Sequence, residues 1–201
     1  DKSALQIAVN LWVDDNVSAL STYGEINTWD TSLITDMSSL FKLKTTFNSD
    51  ISNWDVSNVT NFGHQWGQGM FQKAHAFNQD ISGWDTSNAE GMVGMFAFVY
   101  NFNQPIGSWN VSKVTNMYNM FRECQQFNQD LSQWDVSNVT DMEQMFKLAS
   151  SFNQPVNTWY WNVSNVTIFN QMFMWSGMPP GTPATPTANW ITPPPEPEPE
   201  P

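Results

Sequence analysis

Six asparagines stand in the Asn-X-Ser/Thr pattern: Asn16, Asn58, Asn110, Asn138, Asn162 and Asn165. In a secreted protein that pattern makes the side-chain amide nitrogen an acceptor for N-linked sugar. Asn58, Asn138 and Asn165 share one repeat position that also takes Leu33 and Lys113, so it is expected to face solvent. Asn110 and Asn162 fill a more constrained position held by aspartate in neighbouring repeats, and Asn162 sits too close to Asn165 for both to be modified. Glycans are expected at Asn16, Asn58 and Asn138, with Asn110 and Asn165 as further candidates. The Thr/Pro stretch around Thr182, Thr185 and Thr187 has the composition of an O-glycosylated segment.

Two carboxylate series raise the question of a metal. One is Asp30, Asp55, Asp85, Asn110 and Asp135; the other is Asp50, Asp80, Pro105, Asp130 and Pro155. Like charges stacked closely repel unless hydrogen-bonded or bridged by a cation such as calcium. The Asn and Pro replacements favour the simpler role, side chains accepting turn N–H groups, and no metal site is assigned. His64 and His75 are the only histidines. Neither has a cysteine partner or ligand spacing. No nucleophile elbow or phosphate loop is present. The sequence predicts no enzyme, no catalytic residue and no cofactor.

These residues must be positioned by a repeat. Tryptophans fall at Trp29, Trp54, Trp84, Trp109, Trp134 and Trp159, in steps of 25, 30, 25, 25 and 25, a period typical of repeat architectures. The full unit reads Phe127-Asn-Gln-Asp-Leu-Ser-Gln-Trp134-Asp-Val-Ser-Asn-Val-Thr140. Leu131, Trp134, Val136 and Val139 follow a leucine-rich-repeat rhythm, and the spacing predicts a short strand at Trp-Asp-Val. Val139, Met142, Met145/Phe146 and Ala149 lie three or four apart, which predicts a return helix. Residues 3–13 read as a helix opened by a Ser3–Gln6 capping box and closed by Asp14-Asp15-Asn16, a cap for the first unit. The fold class expected is an α/β solenoid, a leucine-rich-repeat-like stack of about six 25-residue strand–turn–helix units with an N-terminal capping helix. Residues 1–22 form the cap and lead-in, 23–173 the repeats, and 174–201 an extended Pro/Thr/Glu-rich tail. Equivalent indoles are expected to form one buried spine. Phe47, Phe77, Phe102, Phe127 and Phe152 form a second column, followed by a ladder of asparagines.

Two insertions break the period. Five residues at Gly63–Gly67 carry Trp66 on a bulge, and Tyr160-Trp161 is inserted near the end. Insertions in repeat arrays often mark a binding face. Past Phe173 the chain lacks a clear polar cap, and Trp175 and the apolar island Trp190-Ile191 are candidates for contact with another chain. The 201 residues carry a formal net charge of −12, which argues against nucleic acid and anionic membrane surfaces. No apolar run is long enough to insert in a bilayer. The one cysteine, Cys124, rules out an intrachain disulfide and is expected to be a small buried residue. A start at Asp1 without a signal-like segment fits a processed, secreted chain.

The recurring FNQDISxWDVSNVTxMxxMF resembles the BspA-like leucine-rich-repeat surface proteins over about residues 4–173, and the opening Tyr23–Ser32 after an apolar helix is similar to members from single-celled algae. The resemblance implies an extracellular or cell-surface setting and a role in surface structure or adhesion. It supplies no catalytic residues. The function expected is a secreted, glycosylated structural protein that self-associates into a fibre or coat. The alternative is an adhesion module holding a glycan or protein ligand through Trp66, Tyr160 and Trp161.

Overall fold

The computed structural model describes residues 1–156 and 159–179 of the chain. It opens with α1 (Lys2–Asp14), whose buried face is the expected one: Leu5, Ala8, Val9 and Trp12. The N-cap is Asp1 rather than Ser3, its carboxylate accepting from the Ala4 N–H at 2.9 Å. α1 ends at Asp14-Asp15 as expected, but a further helix follows at once. Asp15 caps a second helix, α2 (Asn16–Tyr23), by accepting from the Ser18 N–H at 3.1 Å. Gly24, at φ 72°, stops it. α1 lies on the first repeat. Gln6 Nε2 donates to the Leu40 carbonyl at 2.9 Å and Trp12 Nε1 to Ser49 Oγ at 2.9 Å.

The repeats are not the strand–turn–helix units of the expected α/β solenoid. Among the described residues the chain after Gly24 is almost entirely turns and loops. Its regular elements are two one-turn 3-10 helices, Ile26–Thr28 and Ile106–Ser108, and two short parallel strands, β1 (Asn61–Gly63) and β2 (Gly91–Met92). No strand forms at Trp-Asp-Val. There the Asp135 carboxylate takes the Ser137 N–H at 3.0 Å and the Val139 N–H turns back to the Val136 carbonyl at 3.0 Å. N–H groups used in turns cannot build a sheet ladder. Parallel pairing falls instead at the Thr-Asn/Asp corner, where isolated bridges join Asp36 to Asn61, Gly91 to Asn116, Asn116 to Asp141 and Asp141 to Ile168.

The return helix is absent for an equally local reason. Asn119 and Glu123 both take φ 56°, and Gln144 and Leu148 take 55° and 61°. Left-handed residues at every fourth place exclude an α-helix. The N–H groups of Asn119, Phe121 and Glu123 donate to the carbonyls of Glu143, Met145 and Lys147 in the next repeat, at 3.0, 2.8 and 2.8 Å. Those of Met120, Arg122 and Cys124 turn back to Met117, Asn119 and Phe121. Half the donors close overlapping turns and half tie one repeat to the next. The three-and-four spacing of the apolar residues belongs to those turns.

The core is two columns of phenylalanine. Phe41, Phe71, Phe96, Phe121, Phe146 and Phe173 stack at 5.3–5.7 Å. Phe47, Phe77, Phe102, Phe127 and Phe152 stack at 5.9–6.2 Å. Within a repeat the two rings meet at about 4 Å, as for Phe121 and Phe127 at 4.1 Å. Indoles stack directly in the pairs Trp29–Trp54 and Trp84–Trp109, each at 6.3 Å. At the five-residue insertion Phe62 takes the place over Trp84, also at 6.3 Å. What five buried indoles do share is a hydrogen bond from Nε1 to a carbonyl one repeat back: Trp54 to Ile26, Trp84 to Ile51, Trp109 to Ile81, Trp134 to Ile106 and Trp161 to Leu131. The last of these corrects the register. Trp161, not Trp159, is the repeat tryptophan, and the two inserted residues precede it. The asparagine ladder is present, with the N–H of Asn78, Asn103, Asn128 and Asn153 each donating to the preceding asparagine Oδ1 at 2.9 Å. Cys124 is buried, and burial pushes its thiol well above the usual range.

Candidate interaction surfaces

The sequon asparagines are all exposed, but their amides are used differently. Asn58, Asn138 and Asn165 donate Nδ2 to the Ser32, Ser112 and Ser137 carbonyls of the preceding repeat, at 2.9, 2.7 and 2.7 Å. That position is a rung-to-rung bond as well as a surface position. Asn110 instead accepts at Oδ1 from the Ser112 N–H and hydroxyl, at 3.0 and 2.7 Å, and Asn162 accepts from the Ser164 N–H at 3.2 Å. Among the described residues the Asn110 Nδ2, the atom that would carry sugar, meets no partner. Asn16 is the first residue of α2.

The carboxylate series are explained by turns. Asp30 and Asp55 each take a serine hydroxyl at 2.6 Å and the same serine's N–H at 3.0 and 2.9 Å. Hydrogen bonds from the serine side chain and then from its N–H hold Asp30, Asp55, Asp80, Asp85 and Asp135 below the ordinary carboxylate range. For Asp55 the neighbouring charges of Asp30 and Asp85 push the other way and lose. Among the described residues no group of three or more His, Cys, Asp or Glu is arranged to hold a metal.

The aromatic candidates separate. Trp161 is 2% exposed and cannot stack on a ligand. As a repeat tryptophan it belongs to the core. Tyr160 and Trp175 are 55% and 64% exposed, with the Lys147 ammonium 5.6 Å from the Trp175 ring. Trp66 is 43% exposed. Its bulge folds over the next repeats, where the ring lies on Gly94, 6.3 Å from Phe98 and edge-on to Tyr118 at 5.8 Å. The Arg122 guanidinium is 5.8 Å from Trp66 and 5.6 Å from Phe98. A Cβ on Gly94 would stand 3.3 Å from the Trp66 ring, so glycine lets the indole lie close over the backbone there. Gly94 replaces the Ser39, Asn119 or Gln144 of sibling repeats. That substitution was the available sequence signal for Phe98, Tyr118 and Arg122 joining Trp66. Trp190 and Ile191 lie outside the described residues.

Sequence reasoning named Tyr160 and Trp175 near the last end but missed the exposed apolar side chains of the first. Ten large hydrophobic side chains are exposed among the described residues. Ile7, Val17, Leu20, Tyr23, Leu33 and Leu43 sit on the two helices and the first repeat, and Tyr160, Ile168 and Trp175 on the last. Trp66 alone lies between. The backbone is uneven in the same way. The Gln171 and Trp175 N–H groups, which in earlier repeats bond onward, meet no acceptor among the described residues.

Among the described residues no helix is long and apolar enough to cross a membrane. No curated protein and no solved structure matches the chain. One family does, described as "Mycoplasma protein of unknown function, DUF285", over residues 13–112 and again over 68–177. The two overlapping matches follow the repeat and agree with the BspA-like resemblance of its motif, and together they span most of the chain, which therefore belongs to the DUF285 family.

Proposed function

We propose that this chain is a secreted, N-glycosylated structural protein of a cell surface, of the algal type within its family, whose copies associate end to end into a fibre or coat. The observation that carries the proposal is the confinement of nine of the ten exposed large hydrophobics to the two ends. Apolar patches at unlike ends make a heterologous contact that propagates rather than closes. Sugars on Asn58, Asn110 and Asn138 would project from intermediate repeats and leave the ends free. A sugar on Asn16, beside Val17, would stand in the contact, so Asn16 is the sequon that assembly leaves bare. Sedimentation velocity over a concentration series tests the reading. The wild-type chain forms growing oligomers, Val17→Glu with Ile168→Glu keeps it monomeric, and Trp66→Ala does not. Native material that remains single particles at high concentration refutes it. A second reading, adhesion, is favoured by Trp66 with Tyr118 and Arg122. There a half-exposed indole beside a cation suits an acidic sugar, and unchanged glycan binding by Trp66→Ala would dismiss it.

A further inference from the structure

The first end of the molecule holds a groove of about 400 Å³ between α1 and the first repeat, lined among others by Leu5, Ala8, Tyr23, Trp29, Asp30 and Ile34. Leu5, Ala8 and Ile34 form an apolar floor, each under a tenth exposed. Tyr23 and Trp29 form an aromatic corner, ring centres 5.8 Å apart and interplanar angle 69°. Trp29 is backed by Trp12 at 5.8 Å and Trp54 at 6.3 Å. Tyrosine and tryptophan walls over an apolar floor are the chemistry that recognises proline-rich extended segments, whose stiffness lowers the ordering cost of binding.

This chain carries such a segment. Residues 183–195 read Pro-Ala-Thr-Pro-Thr-Ala-Asn-Trp-Ile-Thr-Pro-Pro-Pro, with Trp190-Ile191 the only large apolar side chains after Met178. We infer that the groove receives Trp190 and Ile191 of a second copy, flanked by their prolines, as a latch between subunits. The inference rests on the end-to-end reading above. It commits to a second copy because the segment follows the last repeat while the groove lies on the first, and end-to-end contact brings these two places together. Thr192–Pro195 set Trp190-Ile191 apart from the acidic Glu196, Glu198 and Glu200.

Complementation tests it on full-length chains. The tail variant Trp190→Ala/Ile191→Ala and the groove variant Tyr23→Ser are each expected to weaken assembly at least about 30-fold, the cost of losing a buried aromatic anchor. Tyr23 is 42% exposed, so its variant keeps the fold, checked by an unchanged unfolding curve. An equimolar mixture of the two variants retains one working tail and one working groove, and dimers but no longer species are expected. Assembly of either variant at wild-type strength overturns the latch while leaving the end-to-end reading intact. So does a mixture that stays monomeric. As an independent arm, a synthetic peptide of residues 183–195 added to the tail variant is expected to shift the Trp29 indole N–H resonance. No shift overturns the latch, whatever the assembly state of the wild type. A shift in a wild-type chain that never assembles upholds groove recognition of the tail and sinks the end-to-end reading instead.

Discussion

Phe121→Ala removes the ring at the centre of the core. Phe121 is fully buried and has four aromatic neighbours: Phe96 at 5.6 Å, Phe146 at 5.4 Å, Phe127 at 4.1 Å and Trp134 at 6.2 Å. Truncating a buried phenylalanine costs about 3–5 kcal/mol, and the upper part of the range applies where the cavity cannot collapse. Collapse is opposed here, because the backbone on each side is fixed by the Phe121 N–H to Met145 carbonyl bond at 2.8 Å and the Phe96 N–H to Met120 carbonyl bond at 2.9 Å. With a urea m-value of about 2 kcal/mol/M, the midpoint falls by about 2 M. Phe121→Leu, which refills most of the volume but loses the two stacked partners above and below, costs about 1–3 kcal/mol. Equilibrium urea unfolding followed by near-ultraviolet circular dichroism measures both. A Phe121→Ala loss under about 1 kcal/mol would mean that the phenylalanine columns are incidental and would refute the account of the core.

Three further outcomes are expected. Trp161→Phe leaves the buried Leu131 carbonyl without its 3.0 Å donor and costs about 1–3 kcal/mol beyond the lost area, whereas Trp159→Phe removes no side-chain bond to an earlier repeat among the described residues; equal losses in thermal unfolding would return the repeat register to Trp159. Asn103 accepts from the Asn128 N–H at 2.9 Å and from Gln129 Nε2 at 2.8 Å, so Asn103→Ala costs about 1 kcal/mol per bond while Asn103→Asp, which keeps the acceptor, costs less in the same assay. Asp30, Asp55, Asp80, Asp85 and Asp135 are held below their unfolded values, so their stabilisation is complete above the ordinary carboxylate range and is lost as pH falls from there through their lowered folded values. Replacing Asp85 and Asp135 by Asn, as Asn110 already stands in that series, should flatten the acid limb of a stability–pH curve without disturbing the turns.

The repeat, its period, the buried apolar positions and the asparagine ladder were legible because each depends on which side chains recur and not on backbone conformation. Secondary structure was not. Val139, Met142, Met145 and Ala149 have helical spacing, and overlapping three-residue turns reproduce that spacing while sending alternate N–H groups to the next repeat. The only warning was the residue mix at the left-handed places. Gly94 and Asn119 suit positive φ, but Leu43, Lys73, Phe98 and Leu148 do not, and they adopt it because the inter-repeat bonds over-determine it. Trp161 was readable. It is followed by Asn162-Val163-Ser164, the match to Asp135-Val136-Ser137, and only the regular count of 25 pointed to Trp159. The sequons were legible as a pattern, but which amide nitrogens are already engaged depends on the stacking of one repeat on another.

That division bears on where function can reside. In the intermediate repeats the polar side chains that recur are committed: asparagine and tryptophan bonds tie repeat to repeat, and aspartate closes turns within one. A surface whose recurring polar groups mostly serve the fold has little freedom to evolve a ligand site except where the repeat is interrupted. The interruptions are few: the Trp66 bulge, the two residues before Trp161, and the ends. At the first end a repeat-breaking pair of helices leaves Ile7, Val17, Leu20 and Tyr23 exposed. At the last, the donor row of Gln171 and Trp175 runs out of partners among the described residues. Edge strands guard such places with charge; the first end of the chain does carry Asp1, Lys2, Asp14 and Asp15, but residues 152–179 carry none. Of its seven cations, Lys147 alone lies in the last two repeats, and it leans over Trp175, where its stem covers the ring and its charge does little to repel an incoming apolar face. Among the described residues the asymmetry is therefore between a middle that recurring asparagine and tryptophan bonds tie repeat to repeat and end repeats that carry nine of the ten exposed large hydrophobics, and the proposed end-to-end contacts fall on the latter.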